Sequence, residues 1–333
     1  MPAIRGFIDK YIFHKEEIPP PISTGTAVAL LALYTVAYVA PFYLSSLTRP
    51  SPTLSRDAPS VIRARITSVT LTCIGCSAAT FVLLTTAGAT GTTRLPATDA
   101  LHLMGYLPVG LGDALRALAL TAALFAGPLL ELVLVEVQTW RLLRSDRSML
   151  TCLVASLADN LADWTVWRNI VAGPVTEEVL FRGAGVPPLL LAHTSTACTV
   201  LLSPVVFGLA HLHHAYEFAV VHPRVPLAGV ALRSLVQFAY TTLFGVYATF
   251  LFLRTGSLLA ACLVHSFCNC MGLPRFWGRL ELPRNDSDFE TGRPRSNLLA
   301  TLLYYVLLVA GAAYWYCHLW TLTASTNALV SFG

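Results

Sequence analysis

The chain has 333 residues, 55% of them hydrophobic and only 12% charged, with a formal net charge of +4. Soluble globular chains carry about 25% charged residues, and half that density does not cover a folded surface of this size with solvated groups. This argues against a soluble domain, a disordered chain and a disulfide-stapled secreted module, and leaves an all-α polytopic membrane protein.

The 23 residues before the first apolar segment contain acidic residues and the run Pro19-Pro20-Pro21. They lack the layout of a cleaved secretory signal, so the first span is expected to act as the insertion signal. A bilayer-crossing helix needs about 20 mostly apolar residues. Such segments are predicted at 24–47, 66–88, 111–137, 187–210, 227–253, 257–273 and 298–321. A shorter stretch at 171–185 carries charges and makes an eighth helix if it is buried among the others. There is no internal repeat, so residues 1–333 are expected to form one membrane domain with its motif core at 171–273.

Arginines cluster in alternate loops: Arg49, Arg56, Arg63 and Arg65 in the first, Arg94 alone in the second, and Arg141, Arg144, Arg147 and Arg168 in the third. By the positive-inside rule the first and third loops face the cytosol and the N-terminus lies outside or in a lumen, although Arg5, Lys10 and Lys15 pull the other way. The charges sit between apolar segments rather than along one face, which points to a lipid bilayer and to no nucleic-acid partner. Cys73 and Cys76 have a ligand-like spacing but no polar surroundings and no second pair, so they read as small hydrophobes.

Ionisable groups inside spans are costly and are functional candidates by default. Three clusters stand out: Glu177-Glu178 with Arg182, Phe207 with His211 and His214, and His265 with Asn269. Glu178 and Arg182 are four apart, on one helix face, in the favourable order for an ion pair. Glu177 is turned about 100° from Glu178 and has Leu180 and Phe181 as near neighbours, which leaves it available for proton transfer. His265 and Asn269 also share a face. Together these groups supply a base, a second proton-handling or water-orienting group, and two donors for an oxyanion. The set suits amide hydrolysis by activated water, without a serine or cysteine nucleophile. Zinc is the rival, since His and Glu are good ligands, but no His-Glu-x-x-His occurs.

Other motifs read as structural. Gly110-Leu-Gly112-Asp113 matches the aspartyl intramembrane protease pattern, yet no second aspartate lies in a span to share the proton. Gly256-Ser257 lacks the context of a rhomboid-type serine site. Glu131 and Glu136 read as structural contacts, His193, His213, His214 and His222 receive no role, and Asn285-Asp-Ser287 is a glycosylation sequon only if its loop is lumenal.

In chain order, Glu177-Glu178 to Arg182, Phe207 to His211, and His265 to Asn269 reproduce the pattern of the glutamate-type CAAX prenyl endopeptidases. The flanking Phe207-Gly-Leu-Ala-His-Leu-His-His and His265-Ser-Phe-Cys-Asn resemble the eukaryotic branch. The resemblance implies removal of the last three residues from prenylated CAAX proteins such as Ras-like small GTPases, in the endoplasmic reticulum membrane, with a site open to the cytosol. It further implies that Glu177 activates water with help from His211, that His265 and Asn269 stabilise the oxyanion, and that Glu178 and Arg182 support the site, with no cofactor. A proton-coupled transporter built on the same buried residues is the alternative, as is a scaffold that keeps the fold without the full residue set.

Overall fold

The computed structural model describes residues 19–51, 54–86, 95–142, 151, 158–159, 162–283 and 297–332. Arg5, Lys10, Lys15, Arg94, Arg144, Arg147 and the sequon at Asn285 lie outside them.

The fold is helical. Helices α1 (Thr24–Val39), α2 (Pro59–Thr86), α3 (Ala97–Leu103), α4 (Leu111–Leu124) and α5 (Ala126–Leu142) precede the central helix α6, which spans 164–191. After it come α7 (Thr196–Ala210), α8 (His213–Val221), α9 (Leu227–Thr255), α10 (Leu258–Met271) and α11 (Leu298–Leu322). Several helices start where a side chain accepts from an otherwise unpaired N–H, as Ser23 does for Thr26, Ser195 for Cys198, Ser257 for Ala260 and Asn297 for Ala300. Gly256, at φ 58°, ends α9 in the left-handed region and lets α10 begin at once.

Among the described residues, five segments are long and apolar enough to cross a membrane: Thr24–Leu44, Pro59–Thr86, Thr196–Val221, Leu227–Thr255 and Leu298–Leu322. The chain is thus a multi-pass membrane protein, with span bounds that differ from the sequence reading in three places. The segment expected to run straight over 111–137 is bent by 78° between α4 and α5. Pro128 explains the bend, because its ring has no N–H and crowds the carbonyl four residues back, at Leu124. The segment expected at 187–210 is divided: its first residues end α6, His193 takes a positive φ of 53°, and Ser195 caps a new helix. Helix α10 has 14 residues, fewer than a full crossing needs.

The charged stretch at 171–185 is the interior of α6 and is packed among the other helices. Along α6, two π-helical segments, Trp167–Ala172 and Val179–Ala184, flank the α-helical turn Gly173–Glu178. Each π segment is followed by proline, Pro174 in one case and Pro187-Pro188 in the other. A missing N–H leaves the regular ladder open, and the chain closes it with a longer ring. Thus the Gly173 N–H donates to the Arg168 carbonyl five residues back, and a Cβ on Gly173 would stand 2.8 Å from that oxygen. The turn carrying both glutamates is held between these two distortions.

Leu180, Phe181, Ala184 and Leu189 of α6 pack with Ala27, Leu31, Tyr34 and Tyr38 of α1, Cys73 and Cys76 of α2, and Phe207 of α7. Cys73 and Cys76 are buried free thiols in this layer. Helix α7 meets α9 at small residues, the usual way for membrane helices to approach closely. A Cβ on Gly245 would lie 2.9 Å from the Pro204 Cβ and 3.2 Å from Phe207. At one end of the molecule the start of α6 touches the loop before α2: Arg168 Nη1 lies 2.7 Å from Asp57 and 3.3 Å from the Arg56 carbonyl.

Candidate active site

Beneath the site is a buried polar chain. Glu178 and Arg182 are both fully buried and are joined by a 2.9 Å bond from Nη1 to Oε1. Arg182 also donates to the Gly245 carbonyl at 3.1 Å, and its guanidinium lies 4.7 Å from the centre of the Phe207 ring. The same Glu178 oxygen is 2.7 Å from Nδ1 of His265. A carboxylate accepts, so Nδ1 carries the proton and donates. Glu178 therefore orients a histidine from α10 as well as pairing with Arg182, a link that sequence spacing does not reveal.

Glu177 is held on the other side of the same turn. Its Oε2 lies 3.9 Å from Nε2 of His211 and 3.8 Å from Nε2 of His265. His211 ends α7, and its Nδ1 sits 2.8 Å from the Phe207 carbonyl. Since a carbonyl only accepts, Nδ1 donates there and Nε2 is the ring nitrogen that faces Glu177. Phe207 packs edge-on against the His211 ring at 4.7 Å, and Phe244 lies tilted against the His265 ring at 4.5 Å, so both imidazoles are braced by aromatic neighbours.

Glu177 and His211 open onto a cavity of about 320 Å³. Tyr38, Val39, Phe42, Ile66 and Val69 form an apolar wall, while Arg56, Arg65, Arg168, Asn169 and Asn269 add polar groups. His265 is nearly buried behind Glu177 and is not among the lining residues. Asn269, one turn further along α10, donates from Nδ2 to the Asn169 carbonyl at 2.9 Å, tying α10 to α6 across the cavity. The three sequence clusters therefore meet in two ways. Glu177, His211 and His265 converge by direct approach, and Asn269 shares the cavity with Glu177 and His211.

Some groups at the site were not singled out in the sequence. Glu217 of α8 is buried, and its carboxylate takes Arg65 at 2.7 Å, Arg56 at 3.2 Å and His214 at 3.0 Å. Its signal was present: an acid inside an apolar segment, the same cue that marked Glu177. Tyr38 bonds the Thr176 hydroxyl at 2.9 Å, beside the turn that carries both glutamates. Of the motifs read as structural, Asp113 pairs with Arg116 and accepts from Ser325 at 2.8 Å, and Glu131 pairs with Arg275 at 3.1 Å.

Among the described residues one group has the makings of a metal site, His213, His214 and Glu217, whose ligand atoms lie within 4.8 Å of one another. It is a poor donor set for a cation, because both Glu217 oxygens already face guanidinium groups. It also lacks Glu177.

Comparison with known proteins converges on one family. A family model described as type II CAAX prenyl endopeptidase Rce1-like matches residues 159–271, the span that carries Glu177, Glu178, Arg182, His211 and His265. The chain is 35% identical to the probable CAAX prenyl protease 2 of Schizosaccharomyces pombe, over 88% of this chain and 92% of that one. It is 36% identical to the human CAAX prenyl protease 2 over 73% of this chain and 70% of that one. With the Arabidopsis thaliana CAAX prenyl protease 2 it shares 31% identity over 76% of this chain and 81% of the plant protein. No solved structure shows a significant match. The chain belongs to the CAAX prenyl protease 2 family, a eukaryotic branch of membrane peptidases.

Proposed function

We propose that the chain, as a single membrane domain, releases the C-terminal tripeptide from prenylated CAAX proteins, Ras-like small GTPases among them, by attack of a water activated by Glu177 and His211. The observation that carries the mechanism is the approach of one Glu177 oxygen to the Nε2 atoms of His211 and His265, at 3.9 and 3.8 Å, on a cavity wall. These gaps are too long for direct hydrogen bonds, while a water about 2.8 Å from both Glu177 and His211 fits between them.

Glu177 takes a proton from that water as its oxygen attacks the carbonyl carbon of the prenylcysteine. His211, fixed by its Nδ1–H bond to Phe207, accepts the second hydrogen bond of the water and aims its lone pair. The carbonyl oxygen becomes an oxyanion. Asn269 uses one Nδ2 hydrogen on Asn169 and keeps the other for this oxyanion. His265 donates from Nε2 only when its ring carries both protons, with Glu178 at one nitrogen and Glu177 near the other. Collapse of the adduct breaks the C–N bond, and the proton held by Glu177 goes to the departing amine. Glu178 and Arg182 act as positioning residues through His265.

The prenyl chain dissolves the substrate in the leaflet, at roughly 0.8 kcal/mol per buried CH₂, and the apolar wall formed by α1 and α2 suits its docking. The first arginine-bearing loop and Arg168 at the start of α6 meet at this end of the cavity, which supports the orientation that puts it at the cytosolic face, in the endoplasmic reticulum membrane. The transporter alternative has no support in the comparisons, whose relatives carry protease names.

A cell-free assay with a farnesylated CAAX peptide tests the reading. Glu177→Ala and His211→Ala are expected to lower tripeptide release about 10²- to 10⁴-fold, the usual worth of a positioned acid–base group, while the protein still inserts and folds. EDTA is expected to have little effect. Full activity in either variant overturns the assigned roles, and inhibition by EDTA reversed only by zinc overturns the metal-free part.

A further inference from the structure

A cluster of arginines at the far end of the cavity is not used by the hydrolytic chemistry. Arg56, Arg65 and Arg168 all line the cavity. Their carboxylate partners are Asp57 and Glu217, so three guanidinium groups face two acids. Arg65 is fully engaged, with Nη1 on Glu217 and both Nε and Nη2 on the Thr48 carbonyl. Arg168 bonds through Nη1 and Nε, and Arg56 stays more exposed, at 38% of its side-chain surface. Burial lowers the pKa of Arg56, and the nearby Arg168 and Arg65 guanidiniums lower it further while Glu217 raises it. An additional anion would relieve this crowding of positive charge.

The spacing identifies the anion. Arg168 and Glu177 stand on one cavity-lining face of α6, together with Asn169, Ala172, Gly173 and Thr176. They are nine residues apart, or about 13 Å along a helix axis at 1.5 Å per residue, slightly less through the π segment. Three extended residues span about 10 Å. A peptide whose scissile carbonyl sits at Glu177 and whose leaving group has three residues therefore ends within side-chain reach of Arg168 and Arg56.

We propose that Arg168 and Arg56 bind the free α-carboxylate of the substrate and so measure the length of the segment removed. This rests on the assignment of Glu177 as the cleavage site. It gives the site a rule that the catalytic groups alone lack: the bond cut is the third from a charged C-terminus. The side chains between the two ends remain free to vary, because recognition falls on the terminal charge.

The full-length protein, purified in detergent, would be given three farnesylated peptides of one sequence: a free-acid CAAX peptide, its C-terminal amide, and the peptide extended by one residue. Wild-type protein is expected to favour the free acid over the amide at least tenfold in kcat/KM, in line with the strength of a charge-assisted arginine–carboxylate bond. The extended peptide is expected to be poor. Arg168→Gln and Arg56→Gln are each expected to pull the acid-to-amide ratio towards one. Because the ratio is taken within one preparation, it is independent of the fraction of protein folded. Equal cleavage of acid and amide by the wild-type protein overturns the proposal and leaves the hydrolase reading standing. So does an equal loss on both substrates in the variants, which marks a purely structural role. Cleavage of the free acid that survives Glu177→Ala sinks the underlying assignment instead.

Discussion

Arg182→Ala probes the buried polar chain beneath the glutamate-bearing turn of α6. Glu178 and Arg182 have no exposed side-chain surface, so truncation leaves a carboxylate in the core with His265 as its remaining hydrogen-bond partner among the described residues. It also removes the bond to the Gly245 carbonyl and the packing over Phe207. Breaking a buried ion pair from one side costs about 3–5 kcal/mol, which corresponds to a drop of about 4–7 °C in melting temperature for a chain of this length. Thermal unfolding in detergent reads this directly. Replacing both partners with apolar residues, Glu178→Leu with Arg182→Met, is expected to recover most of the stability, since a buried pair is often no better than a packed hydrophobic one. Peptidase activity is not expected to return, because Nδ1 of His265 has lost its acceptor. An Arg182→Ala protein that melts within about 1 °C of wild type shows that the buried pair does not hold this turn, and a double variant with full activity shows that His265 does not depend on Glu178.

Further outcomes follow from the same geometry. Gly245→Ala places a methyl group 2.9 Å from Pro204 and 3.2 Å from Phe207, and the separation of α7 from α9 is expected to cost about 1–3 kcal/mol, seen as a lower melting temperature. Asn269→Asp sets a carboxylate against the Asn169 carbonyl that Nδ2 now serves, so kcat is expected to fall more than tenfold with KM little changed. Glu217→Gln weakens the hold on Arg56 and Arg65 and is expected to cost about 1–3 kcal/mol, again measured by thermal unfolding.

What the sequence conveyed best was the chemistry of buried charge. Glu177, Glu178, Arg182, His211, His265 and Asn269 were all visible as polar groups in apolar segments, and the four-residue step from Glu178 to Arg182 was enough to expect their bond. Spacing within one helix carries no information about contacts between helices, so the approach of His265 to both glutamates, and its place behind Glu177, emerged only in three dimensions. Backbone irregularity was also hidden. Pro174, Pro187, Pro188 and Pro128 were plain in the chain, but hydropathy windows pass over proline, and the π segments of α6 and the bend after α4 were missed with it. Glu217 escaped notice because its neighbours lacked a recognisable motif, although its partners Arg56 and Arg65 had already served to orient the chain.

Water activation by Glu177 is tested by a single-turnover reaction of wild-type and Glu177→Gln protein with a farnesylated CAAX peptide in heavy-oxygen water, followed by mass spectrometry of both products. The wild-type reaction is expected to place the label in the new prenylcysteine carboxylate, with no label in the tripeptide, and Glu177→Gln is expected to slow release at least about a hundredfold while melting like wild type. A Glu177→Gln protein that releases the tripeptide at the wild-type rate rules out Glu177 as the group that activates the water.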